Sequence, residues 1–241
     1  METPKRLFTG LILSLLFSLS AFSQERFYLN LNFSLGSPQN EFRDNVDNLG
    51  VGGFGQFSYR LPETPLHIGA SLGFLVYGSD TRKESFNPNI PEVKVDVTTT
   101  NSILLGHLLM RLQARQGAFR PYLTGLLGFN YLQTQTSVKS ERRWGEEDEI
   151  ASSTNFDDAT FSYGGGAGLM IRVFTPPKVE GENNPLSGVY IDLGINTILG
   201  GEAEYLKKGS IYQDADGKLI YDVHRSKTDL ITWHIGITFE F

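Results

Sequence analysis

The sequence predicts an eight-stranded antiparallel up-and-down transmembrane β-barrel. Apolar and polar residues alternate in eight segments, as expected of strands with one face toward lipid and one toward a lumen. Short and long links alternate between these segments, and aromatic residues collect near both ends of the apolar faces. The 241 residues suffice for one such domain.

The N-terminal segment has the three parts of a secretory signal peptide. Lys5 and Arg6 precede an apolar run at 7–19, and small residues precede a cleavage site after Ser23. The run is shorter than the roughly 20 apolar residues of a transmembrane helix. The predicted domains are therefore a signal peptide at 1–23 and a barrel domain at 24–241.

Period-two alternation begins directly after the signal peptide. In residues 27–35 every odd-numbered residue is apolar, and Tyr28, Asn30, Asn32 and Ser34 lie between them. Residues on one face of a strand recur at every second position, so each such segment predicts a strand. The eight predicted strands cover 27–35, 51–60, 66–77, 102–112, 119–133, 161–173, 189–199 and 230–241.

The fourth predicted strand is apolar on both faces, so alternation determines its register least. Leu104, Leu108 and Met110 are expected to face lipid. The opposite face contains polar and apolar residues together: Ile103, Leu105, His107, Leu109 and Arg111.

The links between strands predict how the barrel is oriented. Those at 61–65 and 113–118 are short, and the link at 175–187 is intermediate. Outer-membrane barrels have short periplasmic turns and long extracellular loops. We therefore expect periplasmic termini and four long, polar extracellular loops, at 36–50, 78–101, 134–160 and 200–229.

Aromatic residues distinguish a membrane barrel from a soluble, lipocalin-like one, which would turn its apolar face inward around a ligand. Girdles of aromatic residues at the two membrane interfaces explain their positions near both strand ends. The predicted girdles contain Phe27 and Tyr59 at the periplasmic end, and Phe129, Tyr131, Phe161, Tyr163 and Trp233 at the other end.

The last seven residues, 235–241, resemble the terminal strand of outer-membrane proteins, with apolar residues at alternate positions and an aromatic final residue. In that family the barrel-assembly machinery reads this strand, which implies that Phe239 and Phe241 form an assembly signal. The whole segment after residue 23 resembles Bacteroidota-type outer membrane protein β-barrel domains and the membrane domain of OmpA. The resemblance implies that outer-membrane lipids and lipopolysaccharide are partners, and that the peptidoglycan-binding domain of full OmpA-type proteins is missing.

Motifs that could carry chemistry are weak. Residues 50–55 fit GxGxxG but open a strand, and 214–218 resemble only the start of a calcium loop. The acidic run 146–149 is expected to be a solvated loop tip, with contact to lipopolysaccharide phosphates through divalent ions as the alternative. His224 and Ser226 do not by themselves define a nucleophile and its base. We therefore predict no catalytic, cofactor-binding or metal-binding residues and no cofactor, and the net charge of −6 offers no basic field for nucleic acid.

Charged residues on the predicted inner face suggest a filled lumen. An eight-stranded barrel is only wide enough for side chains, and buried charges need partners. We expect these charged residues to form a hydrogen-bonded plug with His67 and Asn30, and the alternative is that several of the arginines reach into periplasmic water instead of pairing. The charged residues are Arg60, Arg111, Arg120, Arg172, Asp192 and Glu240.

The function that best fits these features is non-enzymatic: envelope integrity, or binding of a ligand or an unidentified protein partner through the loops. A transport or secretion component, either a narrow pore or a machinery subunit, is the alternative. A lipid-A-modifying enzyme that uses His224 and Ser226 is the third hypothesis.

Overall fold

The computed structural model describes residues 27–87, 90–141, 147–177, 185–213 and 218–241, which form a closed antiparallel barrel. The predicted signal peptide lies outside the described residues. The barrel strands are β1 (Phe27–Pro38), β2 (Gly50–Arg60), β3 (Leu66–Asn87), β4 (Ile90–Gln113), β5 (Phe119–Glu141), β6 (Glu147–Phe174), β7 (Gly188–Gly200) and β12 (Leu230–Glu240). The links contain α1 (Asn40–Asn45), β8 (Glu202–Tyr205), β9 (Ile211–Gln213), β10 (Leu219–Tyr221) and β11 (His224–Lys227).

Each barrel strand pairs with its neighbours in sequence, and β1 pairs with β12 to close the ring. The two ends of the described chain meet at this seam: the Phe27 amide donates to the Phe241 carbonyl at 3.1 Å and the Phe241 amide donates back at 2.8 Å. Phe239 lies beside Leu29 and Val189 in register. The predicted eight-stranded up-and-down fold is confirmed, whereas recognition of Phe239 and Phe241 by assembly machinery stays a prediction.

The alternating apolar residues face outward, as predicted for a membrane barrel. On β4 the Leu108 side chain is 67% exposed, whereas Leu105 on the opposite face is completely buried. Ile103, Leu109 and Arg111 are also buried, so the predicted register of the fourth strand is correct. The lipocalin-like alternative is wrong because its apolar set would have to face inward.

The barrel has two unlike ends. Its turn end contains Phe27, Phe241, the links at 61–65 and 114–118 and the described residues of the link at 175–187. Its loop end contains the described residues of the remaining links. β3 to β6 have 22 to 28 residues, whereas the other barrel strands have 11 to 13. Above the loop-end rim, β3 to β6 therefore continue as a four-stranded sheet, here called the protruding sheet.

The protruding sheet corrects the prediction of loops at 78–101 and 134–160. These segments are rich in Thr, Ser and Val, and β-branched residues favour strands. Their outward residues are polar, so alternation marked no lipid-facing side, and the buried Val95 and Val97 face the other way. Likewise, the predicted loop at 36–50 contains α1, and that at 200–229 contains β8 to β11. No helix in the described part of the chain is long and apolar enough to cross a membrane.

Candidate functional site

At the turn end, the lumen is filled by a charged cluster centred on the Glu240 carboxylate, whose residue is only 1% exposed. The Arg120 guanidinium donates to Oε1 at 2.9 Å, and the Tyr28 and Tyr190 hydroxyls also donate to the carboxylate. Arg172 lies 3.9 Å from Oε2 and donates to the Tyr190 hydroxyl at 2.7 Å. This Glu240 cluster joins five strands, β12, β5, β1, β7 and β6.

A second polar cluster surrounds Asp192, which is fully buried. Asn30 donates its amide to Oδ2 at 2.6 Å, and the Tyr122 hydroxyl donates to Oδ1 at 2.7 Å. The His234 ring nitrogen Nε2 lies 3.9 Å from Oδ1. Neutral amide and hydroxyl donors therefore surround this buried carboxylate, as satisfaction of a buried charge requires.

The structure separates the predicted lumen network into parts. Arg120, Arg172 and Glu240 come together, but Asp192 belongs to its own cluster. Arg111 donates to the Gln56 side-chain oxygen at 2.6 Å instead of pairing with a carboxylate. The pairing with an opposite charge that was expected of Arg111 is therefore not seen, because its guanidinium contacts the Gln56 oxygen and the Tyr122 ring instead.

Two more members of the predicted plug occupy other positions at the turn end. Arg60 is half-buried at the end of β2 and lies opposite His67 in register. The His67 ring contacts the Tyr28 ring, with centroids 4.7 Å apart. His67 thus packs on a member of the Glu240 cluster.

Lumen tyrosines are the functional residues that sequence reasoning missed. Tyr28, Tyr122 and Tyr190 are buried, and their hydroxyls bind both carboxylates. The alternation in the sequence already placed these tyrosines on the inward face. The glycines that make room for them were visible there too. A Cβ added at Gly168 or Gly194 would lie 2.2 or 2.8 Å from Tyr122 atoms. The absence of a side chain at Gly168 therefore leaves room for a bulky lumen neighbour, Tyr122.

The loop-end half of the lumen holds a large apolar cluster beside buried polar residues such as Asn130 and Ser162. The buried apolar side chains pack together, and half-buried Phe54 adds its ring to them. Lumens of larger outer-membrane barrels are polar and filled with water, so this half resembles the core of a soluble protein instead. The cluster contains Phe42, Val46, Leu75, Tyr77, Ile103, Leu105, Leu109, Leu126, Leu132, Ile198, Ala203, Tyr205 and Leu230.

A lid, formed by α1 and the paired strands β8 and β11, covers the apolar cluster. Phe42 of α1 is completely buried and meets the Tyr205 and Tyr77 rings edge-on, with centroids 5.0 and 5.8 Å apart. Burial raises the pKa of the Tyr205 hydroxyl, which shares a 2.7 Å hydrogen bond with the Ser226 hydroxyl. The lid thus joins the cluster mainly through aromatic contacts.

The lid is fastened to the rim by Asp229. Its carboxylate accepts hydrogen bonds from the Gly200 amide at 3.1 Å and from the Asn40 side chain at 2.7 Å. Its carbonyl accepts a further bond from the Gln39 amide at 2.9 Å. One residue thus connects the end of β7, the start of α1 and the top of β12.

The candidate catalytic pair is engaged elsewhere. Ser226 bonds Tyr205, whereas His224 Nε2 lies 3.3 Å from the Asp222 carboxylate. Among the residues that the structure describes, no three His, Asp or Glu side chains converge as metal ligands do. Residues 214–217 and 142–146 lie outside the described part of the chain. The absence of cofactors and metals therefore stays a prediction.

The chain matches, over residues 9–172, the family model described as outer membrane protein beta-barrel domain. The chain belongs to this family. It is therefore a barrel of the cell outer membrane, as its terminal strand and alternating faces predicted. The curated proteins contain no match to it.

Three solved structures show a remote similarity to this chain. Neisserial surface protein A is 12% identical, with 89% of this chain and 97% of that chain covered and a TM-score of 0.40. Ail of Yersinia pestis is 14% identical, with 90% of this chain and 97% of that chain covered and a TM-score of 0.33. The N-terminal β-barrel domain of Pseudomonas aeruginosa OprF is 10% identical, with 90% of this chain and 100% of that chain covered and a TM-score of 0.31.

The predicted girdle residues of this outer-membrane barrel lie on its outward face near both ends. At the turn end, the Phe27 ring is 5.1 Å from the Tyr59 ring, centroid to centroid. At the loop end, Phe161 and Tyr163 are 6.2 Å apart, and Phe129 lies opposite Phe161 in register. The remaining two are Trp233, which is 43% exposed, and Tyr131, whose hydroxyl donates to Asp157 at 3.1 Å. Their contact with the membrane interfaces stays a prediction.

Proposed function

We propose that this chain is a non-enzymatic, non-conducting outer-membrane barrel that contributes to envelope integrity through its outer surface and protruding sheet. The filling of the lumen from end to end is the observation that supports this function. The Glu240 cluster occupies the turn end, and the apolar cluster under the lid occupies the loop end. A protein with this interior acts through its surfaces.

Two unlike barriers oppose passage of a solute. At the turn end, separating Arg120 from Glu240 would leave the buried guanidinium without a carboxylate, which costs several kcal/mol. At the loop end, an ion would have to cross an apolar cluster after the lid had lifted. A transport role would thus require both ends of the lumen to rearrange.

Conductance of purified protein in planar bilayers tests this proposal. We expect little or no steady current from the unmodified chain. The doubly substituted variant Phe42→Ala with Glu240→Ala serves as the positive comparison, since it weakens both barriers. Large, stable, porin-like steps from the unmodified chain would overturn the proposal and favour the transport alternative.

A further inference from the structure

The outward face of the protruding sheet changes its chemistry directly above the loop-end girdle. Below this level the outward residues are apolar or aromatic, as at Leu104, Phe129 and Tyr131. Above it, hydroxyl, amide and carboxylate side chains continue the same face across neighbouring strands in register. The three rows are Ser102–Gln133–Asp157, Ser79–Thr100–Gln135–Thr154 and Thr81–Thr98–Ser137–Ser152.

Two β-bulges give the outward face this composition. β3 has an extra residue at Tyr77, and β6 has one at Asn155. A bulge reverses which alternate residues face outward on its strand. Thr81 and Thr154 therefore join the rows, whereas an unbulged β3 would place Asp80 outward. The bulges exchange charged or amide side chains for hydroxyls on this face.

The rows already have local hydrogen bonds that hold their side chains in place. The Thr81 and Thr98 hydroxyls are 3.0 Å apart, and Gln133 donates to the Thr154 hydroxyl at 3.0 Å. A hydroxyl can donate one hydrogen bond and accept two, so such contacts leave capacity for further bonds. The rows are a preordered surface of mixed donors and acceptors.

The position of the rows indicates what they meet. The surface continues without a break from the lipid-facing belt, so its lateral neighbours are the headgroups of outer-leaflet lipids. At about 3.3 Å per residue and a strand tilt of about 40°, Ser137 lies roughly 15 Å further out than Tyr131. That height is beyond the acyl chains and within the sugar layer of a glycolipid leaflet.

We propose that these rows bind the core sugars, beyond the lipid A disaccharide, of neighbouring outer-leaflet glycolipids. Sugar hydroxyls donate and accept hydrogen bonds, as the side chains of the rows do, whereas phosphates would favour a basic surface. This inference rests on the proposed function at the outer surface and names the partner of the protruding sheet.

The test compares two pairs of substitutions on the same two strands. The outward pair Thr98→Val with Ser137→Ala removes hydroxyls from one row, including the bond to Thr81. The control pair Thr99→Val with Thr136→Val removes an inward hydroxyl contact of 3.1 Å. Binding is measured by native mass spectrometry and by titration of the purified barrel with two probes, lipopolysaccharide with its core sugars and lipid A without them.

We expect the unmodified barrel to prefer the probe that carries core sugars and the outward pair to reduce that preference about tenfold, while the control pair keeps it. Two lost hydrogen bonds of ordinary strength suffice for this change. Equal binding of both probes by the unmodified barrel, or equal loss in both variants, would overturn the inference. Either result leaves the conductance test of the proposed function unaffected, so the two failures are distinguishable.

Discussion

The two halves of the lumen are built on the same strands but are filled in opposite ways. β4 contributes Arg111 to the turn-end half, and Ile103 and Leu105 to the loop-end half. Charged side chains can lie next to water at the open end of the lumen, so the turn end needs no cover. An apolar cluster would expose its upper surface to water, and the lid removes that surface. The side chains that fill each end of the lumen thus determine whether that end must be covered.

Substitution of Glu240 should have the largest effect. Glu240→Ala leaves the Arg120 guanidinium buried without its carboxylate, and we expect the free energy of unfolding to fall by about 3–5 kcal/mol. Urea unfolding in lipid vesicles, followed by tryptophan fluorescence, measures the change. Glu240→Gln keeps the size and some hydrogen bonds and should lose less. An unchanged midpoint for Glu240→Ala would show that the turn end does not depend on charge pairing.

Truncation of Phe42 tests the apolar half. Phe42→Ala should lower the free energy of unfolding by about 3 kcal/mol, near the lower limit for such truncations, since the lid can settle into the space. Amide exchange in α1 and β11 should accelerate, whereas exchange around Glu240 should not. Leu49→Ala is the matched control because Leu49 lies in the same link but is 57% exposed. Unchanged exchange in the lid would mean that the aromatic contacts do not hold it closed.

A glycine substitution tests the polar half more mildly. At Gly168 a new Cβ would meet the Tyr122 ring at 2.2 Å, so Gly168→Ala should cost about 1–3 kcal/mol through overpacking. Gly125→Ala provides the control, since the nearest atom to its Cβ would be 3.9 Å away. Equal unfolding midpoints for the two variants would contradict the inferred role of glycine in admitting Tyr122.

The orientation of the two ends can be tested with no effect on stability. The natural chain contains no cysteine, and Gln135 and Glu63 are both exposed, on the protruding sheet and in a turn-end link. A cysteine at Gln135 should react with a membrane-impermeant label on intact cells, whereas one at Glu63 should react only after permeabilisation. The reverse pattern would place the protruding sheet in the periplasm.

Sequence reasoning succeeded where one rule governs a whole strand. Alternation predicted which residues of β1 and β12 face outward, because lipid and lumen impose opposite polarity on adjacent positions. It missed the upper parts of β3 to β6, where the outward residues are polar and no apolar lipid-facing side marks the strand. Inward arginines were predicted correctly as lumen residues, but the contact of Arg111 with Gln56 was not.

The sequence by itself thus determined the barrel, its inward and outward faces and the candidate lumen residues, since these follow from local periodicity. Only the tertiary structure decided which lumen residues meet. Arg120 and Glu240 are 120 residues apart, and their contact depends on barrel closure and strand stagger. The lid and the bulges also depend on the tertiary structure, because they require packing and register between segments that are distant in sequence.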